Sequence, residues 1–325
     1  MKNKGIIVGI ISLVLLVIVL VAIDFSSTRL DKRPDNPYKY ETDHLKRVPE
    51  NLIRYQETRQ LRLKADSLKS IAYHDSKIFL VADDLLRIIH KKGNVLKSIP
   101  LDNEARAIHI PDASMLIIGY PNFFSLYDHQ GEKQVHSTRL NEKALITSIA
   151  KIGDKIFTAD AGNRKVVVFN TEGEKLYDFE GISGSSALHG FIIPSPCFDL
   201  AVNQNKELWV VNPGLHALQH YSENGNLENY WDKPSMKIEG FSGCCNPAHF
   251  TFLPNGNFIT SEKGLVRIKE YSPQGELLSV VAPPGKFTDE GHAPDVVCDE
   301  QGNIIALDFD KKMIRFFEPH LNTNQ

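Results

Sequence analysis

Ala159-Asp160-Ala161-Gly162-Asn163-Arg164-Lys165-Val166-Val167-Val168-Phe169 is the stretch on which the fold turns. An acidic residue and a small polar turn lead into β-branched residues closed by an aromatic, the composition of a tight turn followed by a buried strand. Just upstream, Lys155-Ile156-Phe157-Thr158 supplies a second strand, and just downstream Asn170-Thr171-Glu172-Gly173 supplies a polar turn closed by glycine. Glycine suits that last place because such a turn ends at positive φ.

The same turn recurs along the chain at His90–Gly93, Asp128–Gly131, Ser222–Gly225 and Ser272–Gly275. Successive closing glycines, from Gly93 to Gly275, are 38, 42, 52 and 50 residues apart. Each turn follows a hairpin whose first strand is Ile78–Val81, Met115–Ile118, Lys155–Thr158, Leu208–Val211 or Phe258–Ser261, and a sixth such strand is Ile304–Leu307. Six units of up to four strands, repeating at this interval without any long helical periodicity, predict an all-β, six-bladed β-propeller. The sixth unit stops at Phe316-Phe317-Glu318-Pro319 without an outermost strand, whereas Thr58–Leu63 precedes the first complete unit and belongs to no other. The N-terminal strand is therefore expected to close the last blade, which removes an edge open to pairing with other chains.

The Asp160–Phe169 stretch resembles the NHL repeat, an Asp…Asn-Arg turn leading to Val-x-Val-Phe, and Asp308-Phe309-Asp310-Lys311-Lys312-Met313-Ile314-Arg315-Phe316 echoes it in the sixth unit. The resemblance spans about Tyr55 to Pro319 and implies the propeller fold. It implies no single function, since NHL propellers range from interaction scaffolds to lyases and hydrolases.

Ahead of the repeats, Gly5–Ile23 is nineteen residues without a charge and with Ser12 as its one polar side chain. A helix of that length just spans about 30 Å of hydrocarbon. Lys2 and Lys4 precede it, which keeps the N-terminus in the cytoplasm and exports the rest. Leu20-Val21-Ala22 is a poor cleavage site, so residues 1–25 are read as an uncleaved signal-anchor holding the protein in the membrane through residues 5–23. Residues 26–54, polar and with Pro34, Pro37 and Pro49, read as a tether; 55–320 is the propeller, and 321–325 a tail. The setting that fits is a single-pass protein of a bacterial inner membrane with its propeller in the periplasm. A net charge of -3 argues against a nucleic-acid partner.

Chemistry gathers around Gly240-Phe241-Ser242-Gly243-Cys244-Cys245-Asn246-Pro247-Ala248-His249, which holds two of only four cysteines. Aligning the fourth and fifth units sets Cys197 opposite Pro247, so both segments open innermost strands of neighbouring blades. His189 and His292 occupy similar loops, and Cys298 lies inside the sixth innermost strand. Three readings follow. Cys197 with Cys244 or Cys245 makes a disulfide between blades in an oxidising compartment. Cys244, Cys245, Cys197, His249, His189 and His292 supply soft donors for a metal, a copper, zinc or calcium ion being the cofactor implied, though their spacing matches no standard finger or ribbon. Cys244 and Cys245 alone make a strained vicinal disulfide or a reactive thiol. Asp199 and Asp295 open innermost strands beside His249 and are candidates for the channel mouth; strand-opening acids also commonly cap turns. Trp209 and Trp231 read as packing residues, and Asp160 with Asn163 as hydrogen bonding internal to the repeat.

Two functions are consistent with this pattern. One is a membrane-tethered extracytoplasmic binding or scaffold module, its partner an envelope protein of a redox or metal-handling system met at the channel mouth. The other is a metal-dependent lyase or hydrolase of the NHL-propeller type, with Asp199, His249 and Asp295 in the channel. No phosphate loop, nucleophile elbow or His-Glu-x-x-His motif is present.

Overall fold

The computed structural model describes residues 3–27, 43–128, 130–181 and 189–320. The chain divides into two units, Met1–His44 and Leu45–Gln325. The first contains one helix, Asn3–Ser27. Its described side chains are Gly5 and then Val8 to Asp24, and among the described residues no helix is long and apolar enough to cross a membrane. Most of the expected tether (residues 28–42) and the tail 321–325 lie outside the described residues, as does His129 of the second repeat turn.

The second unit is built of six four-stranded antiparallel sheets. Innermost strands Leu68–His74, Ala107–Asp112, Ile146–Ile152, Leu200–Val202, His249–Phe252 and Asp295–Cys298 touch their neighbours in turn and close a ring around a central channel. The middle strands of each blade are covered on both faces by adjacent blades, so they read as nearly unbroken apolar runs; Lys155–Asp160 and Lys165–Asn170 are buried almost throughout. Outermost strands such as Val95–Pro100 are mostly exposed. Six apolar clusters, one between each pair of neighbouring blades, make up the core. Trp209 and Trp231 pack together in the cluster between the fourth and fifth blades.

Blade closure is as expected. Tyr55–Arg62 pairs antiparallel with Met313–Pro319 in a register running from Tyr55↔Pro319 to Arg62↔Met313. Leu63 extends the contact by donating its N–H to the Lys312 carbonyl. A buried charge network reinforces the joint: Arg315 donates to both Glu57 oxygens at 2.8 and 2.9 Å and to Asp308 at 3.1 Å. The five repeat turns also form as read. In each the closing glycine donates its N–H to the carbonyl three residues back, and all five glycines have φ between 79° and 108°.

The signature turn explains itself in the same way. Asp160 is fully buried, and its Oδ1 accepts the N–H groups of Leu145 and Asn163 at 2.9 and 3.1 Å, while Oδ2 accepts the Asn163 amide at 2.6 Å. Asp308 holds the equivalent place and accepts the Lys311 N–H at 2.9 Å.

Candidate functional site

At one end of the channel, where the innermost strands begin, the sequence-neighbours of those strands define the site. Asp199, His249 and Asp295 open the inner strands of blades four, five and six, so equivalence in the repeat makes them neighbours in space. His249 Nδ1 stands 3.6 Å from Asp199 Oδ2 and 4.0 Å from Asp295 Oδ1. Its side chain is 24% exposed, into a channel cavity of about 230 Å³.

Both carboxylates also hold the ring together. Asp199 Oδ2 accepts the Phe250 N–H of the next blade at 3.0 Å and Oδ1 accepts the Leu200 N–H at 2.9 Å. Asp295 Oδ2 accepts the Ser70 hydroxyl and the Ile71 N–H of the first blade, each at 3.0 Å. Burial alone would lower the His249 pKa, but the adjacent Asp199 and Asp295 carboxylates, and behind them Cys197, outweigh it and raise it to about 9. Burial, with the nearby Asp199 charge, pushes the Asp295 carboxyl up, and His249 draws it back down. At neutral pH the channel therefore contains an imidazolium between two acids, with a neutral histidine across from it. That second histidine, His109 on the second blade, is depressed to about 4, by burial first and then by Lys151. Nothing in the sequence pattern had singled out His109; its place in the alternation of an inner strand was the available signal.

Outside the channel proper, a mouth cavity of about 520 Å³ is lined by Cys197, His249, His292 and Lys263 together with Pro196, Phe309, Asp310 and Lys312. The structure thus brings together three of the six cysteine and histidine candidates. His292 leans on Asp310, with its Nδ1 2.7 Å from Oδ1, and its ring is largely solvent-exposed. His189 is exposed in the loop before the fourth blade and is not part of the described lining.

Cys244 and Cys245 do not line the mouth; Lys263, which does, donates its backbone N–H to the side chain of the adjacent Asn246 at 2.9 Å. All four cysteines are free thiols here: Cys244 exposed, Cys245 buried, Cys197 and Cys298 between. Cys298 donates to the Phe252 carbonyl at 2.8 Å, and burial followed by Asp299 and Glu300 pushes its thiol up to about 12, which marks it as an inert packing residue.

Among the described residues, no group of three or more His, Cys, Asp or Glu side chains is placed to hold a metal ion. Asp199 and Asp295 each already accept backbone N–H groups, through Asp199 Oδ1 and Oδ2 and Asp295 Oδ2. The divalent ion that the NHL enzymes imply does not fit Asp199, His249 and Asp295 as they stand.

No protein-family model matches the chain, and no curated protein does. Among solved structures it is similar to a streptogramin B lyase, 10% identical over 84% of this chain and 100% of that one, with a TM-score of 0.59. A virginiamycin B lyase from Staphylococcus aureus is 13% identical over 81% and 99% of the two chains, with a TM-score of 0.57. The WD40 propeller domain of Doa1 is 13% identical over 83% and 98%, with a TM-score of 0.53. At these identities the likeness is one of fold, and it includes lyases and a WD40 domain alike.

Proposed function

We propose that this protein is a membrane-tethered binding module that works outside the cytoplasm and receives a segment of an envelope protein at the mouth of its channel. The observation that carries the reading is the state of the channel trio. Asp199 and Asp295 accept backbone N–H groups of neighbouring blades, and His249 holds its proton to about pH 9, so these three side chains are committed to closing the ring and to one another. The mouth above it is broad and of mixed charge, with Lys263, Lys312 and Asp310 around the apolar Phe309 and Pro196. Such a surface suits a polypeptide segment better than a small ion.

The anchor belongs to the same proposal. In support, Gly5–Ile23 is uncharged, falls within the helix Asn3–Ser27, and leaves its large described side chains exposed all round, from Val8 to Ile23. On this reading the propeller faces the periplasm, and the cysteines beside the mouth point to a partner in an envelope redox system rather than a metal-handling one.

A second reading is favoured by the same histidine. A partly exposed imidazolium is a competent general acid, and a lyase acting in the channel would use one. A catalytically inactive form of the Staphylococcus aureus lyase is among the similar folds, and its structure contains quinupristin. One experiment addresses both readings. A photo-crosslinking side chain at Phe309 of the full-length protein in membranes should give one discrete adduct with an envelope protein, lost on Asp310→Lys. Absence of any discrete adduct, together with His249-dependent consumption of quinupristin, would overturn the binding reading in favour of the lyase.

A further inference from the structure

The loop joining the fourth and fifth blades holds a pair of sulfurs in two different environments. Cys244 is exposed, whereas Cys245 is 2% exposed, and their Sγ atoms are 2.9 Å apart. Asn246 fixes the loop against the next hairpin: its side chain donates to the Ser242 and Lys263 carbonyls at 2.6 and 3.1 Å and accepts the Lys263 N–H at 2.9 Å. His216 adds a contact of 2.8 Å to the Asn246 carbonyl. The loop is thereby held beside Lys263, whose ammonium lies 3.0 Å from the Ser195 hydroxyl, and both groups pull the Cys245 thiol downward.

The asymmetry suits thiol–disulfide exchange. We propose that Cys244 and Cys245 are a redox pair that passes between dithiol and vicinal disulfide by exchange with a dithiol–disulfide couple on a partner protein. In the oxidising direction a partner thiol loses its proton to solvent, and its thiolate attacks the exposed Cys244 sulfur of the disulfide. The Cys244–Cys245 bond breaks, and Cys245 leaves as a thiolate facing Lys263. The partner's second thiol, also deprotonated, then attacks the partner sulfur of the mixed disulfide, and Cys244 leaves and takes up a proton. Two electrons pass to the pair, the partner dithiol becomes a disulfide, and the net release is one proton. The dithiol described here is the reduced state, and a disulfide on another partner restores the oxidised one by the reverse steps.

Two physical effects favour this role. A sulfur that leaves more readily as a thiolate speeds exchange, and the attacked sulfur must be accessible; here the two requirements fall on different atoms of the pair. The thiol titrations run in the same sense. Burial raises Cys245, but hydrogen bonds from Cys244, Ser195 and Lys263 bring it below the usual thiol range, while the bond to Cys245 raises Cys244. Lys263 is thus a positioning residue, and it is the one group shared with the mouth; the exchange itself does not depend on what the mouth binds.

The experiment uses full-length protein in detergent with Cys197→Ser and Cys298→Ser, so that only the pair remains. The protein is equilibrated in graded mixtures of oxidised and reduced dithiothreitol, alkylated, and weighed by mass spectrometry. Cys244 and Cys245 are expected to lose both alkylation sites in a single two-electron step. Reduction of the oxidised pair by dithiothreitol should slow about tenfold in Lys263→Met and shift its pH profile upward, with Lys263→Arg restoring both. Independent loss of the two sites, or an unchanged rate and pH profile in Lys263→Met, would overturn the proposal. So would a Cys197–Cys244 or Cys197–Cys245 disulfide in the protein with its native cysteines. Loss of the Phe309 adduct in membranes would bear on the mouth alone.

Discussion

Replacing His249 by Gln should remove a pH dependence of stability that the geometry places between about pH 6.5 and 8. His249 rises from 6.5 to about 9 on folding because Asp199 and Asp295 outweigh its burial. A base whose folded pKa is raised contributes fully below its unfolded pKa, and the contribution fades as pH rises toward the folded value. A shift of this size corresponds to about 3 kcal/mol at slightly acid pH, of which roughly 1.5 kcal/mol is lost between pH 6.5 and 8. For a propeller of this size that is a fall in melting temperature of roughly 3–6 °C. The upper limit of the window matters, because Lys269 is depressed to about 8, by burial first, and above that pH its deprotonation in the folded state acts in the opposite sense. The assay is thermal unfolding of the full-length protein in detergent at constant ionic strength, with wild type and His249→Gln compared at each pH. A wild-type profile parallel to that of His249→Gln across the window would refute the account, as would an imidazole that titrates below pH 7 by NMR.

How much of this could be read beforehand depended on whether a signal was local. The repeat turns were legible because Gly93, Gly131, Gly173, Gly225 and Gly275 each need positive φ, a demand made by the turn itself. Closure by the N-terminal strand was legible because one unit lacked a strand and one strand lacked a unit. Asp160 was legible because its partner Asn163 is three residues away. The site was only half legible. Asp199, His249 and Asp295 were singled out as strand openers, but Asp295 bonds Ser70 and Ile71 across 225 and 224 residues, a proximity that exists only once the ring closes. Missed altogether was the buried cluster in which Glu262 meets Arg267 at 2.7 Å and Lys269 at 2.8 Å, all three fully buried. Charged residues in a strand usually mark a solvated face. The available clue was that Glu262 and Arg267 flank one hairpin and oppose each other in register, with the strands around them otherwise apolar.

Other substitutions test the remaining parts of the account. Arg315→Met removes the cation that bridges Glu57 and Asp308, leaving Glu57 only the half-exposed Lys286 at 3.4 Å, and should cost about 3–5 kcal/mol in chemical denaturation, whereas a loss below about 1 kcal/mol would deny that this network secures the closing strand. Gly162→Ala would set a Cβ 1.8 Å from the Lys143 carbonyl oxygen, so the signature turn must move; a melting temperature equal to wild type would show that the turn is not under this constraint. Glu262→Gln strands two buried cations and should destabilise by about 3–5 kcal/mol, with Glu262→Leu/Arg267→Met/Lys269→Met recovering most of it. Asp199→Asn probes the channel directly, because Asp199 both latches blade four to Phe250 and is the nearer of the two carboxylates that raise His249. Removing one of two flanking charges should lower the His249 pKa by about 1–2 units, read as its NMR titration midpoint, while Asp295 keeps it above 6.5. If the midpoint stays near 9 in Asp199→Asn yet falls in Asp295→Asn, the proton is held by the sixth blade instead, and the latch and the histidine's charge are separate functions of the ring.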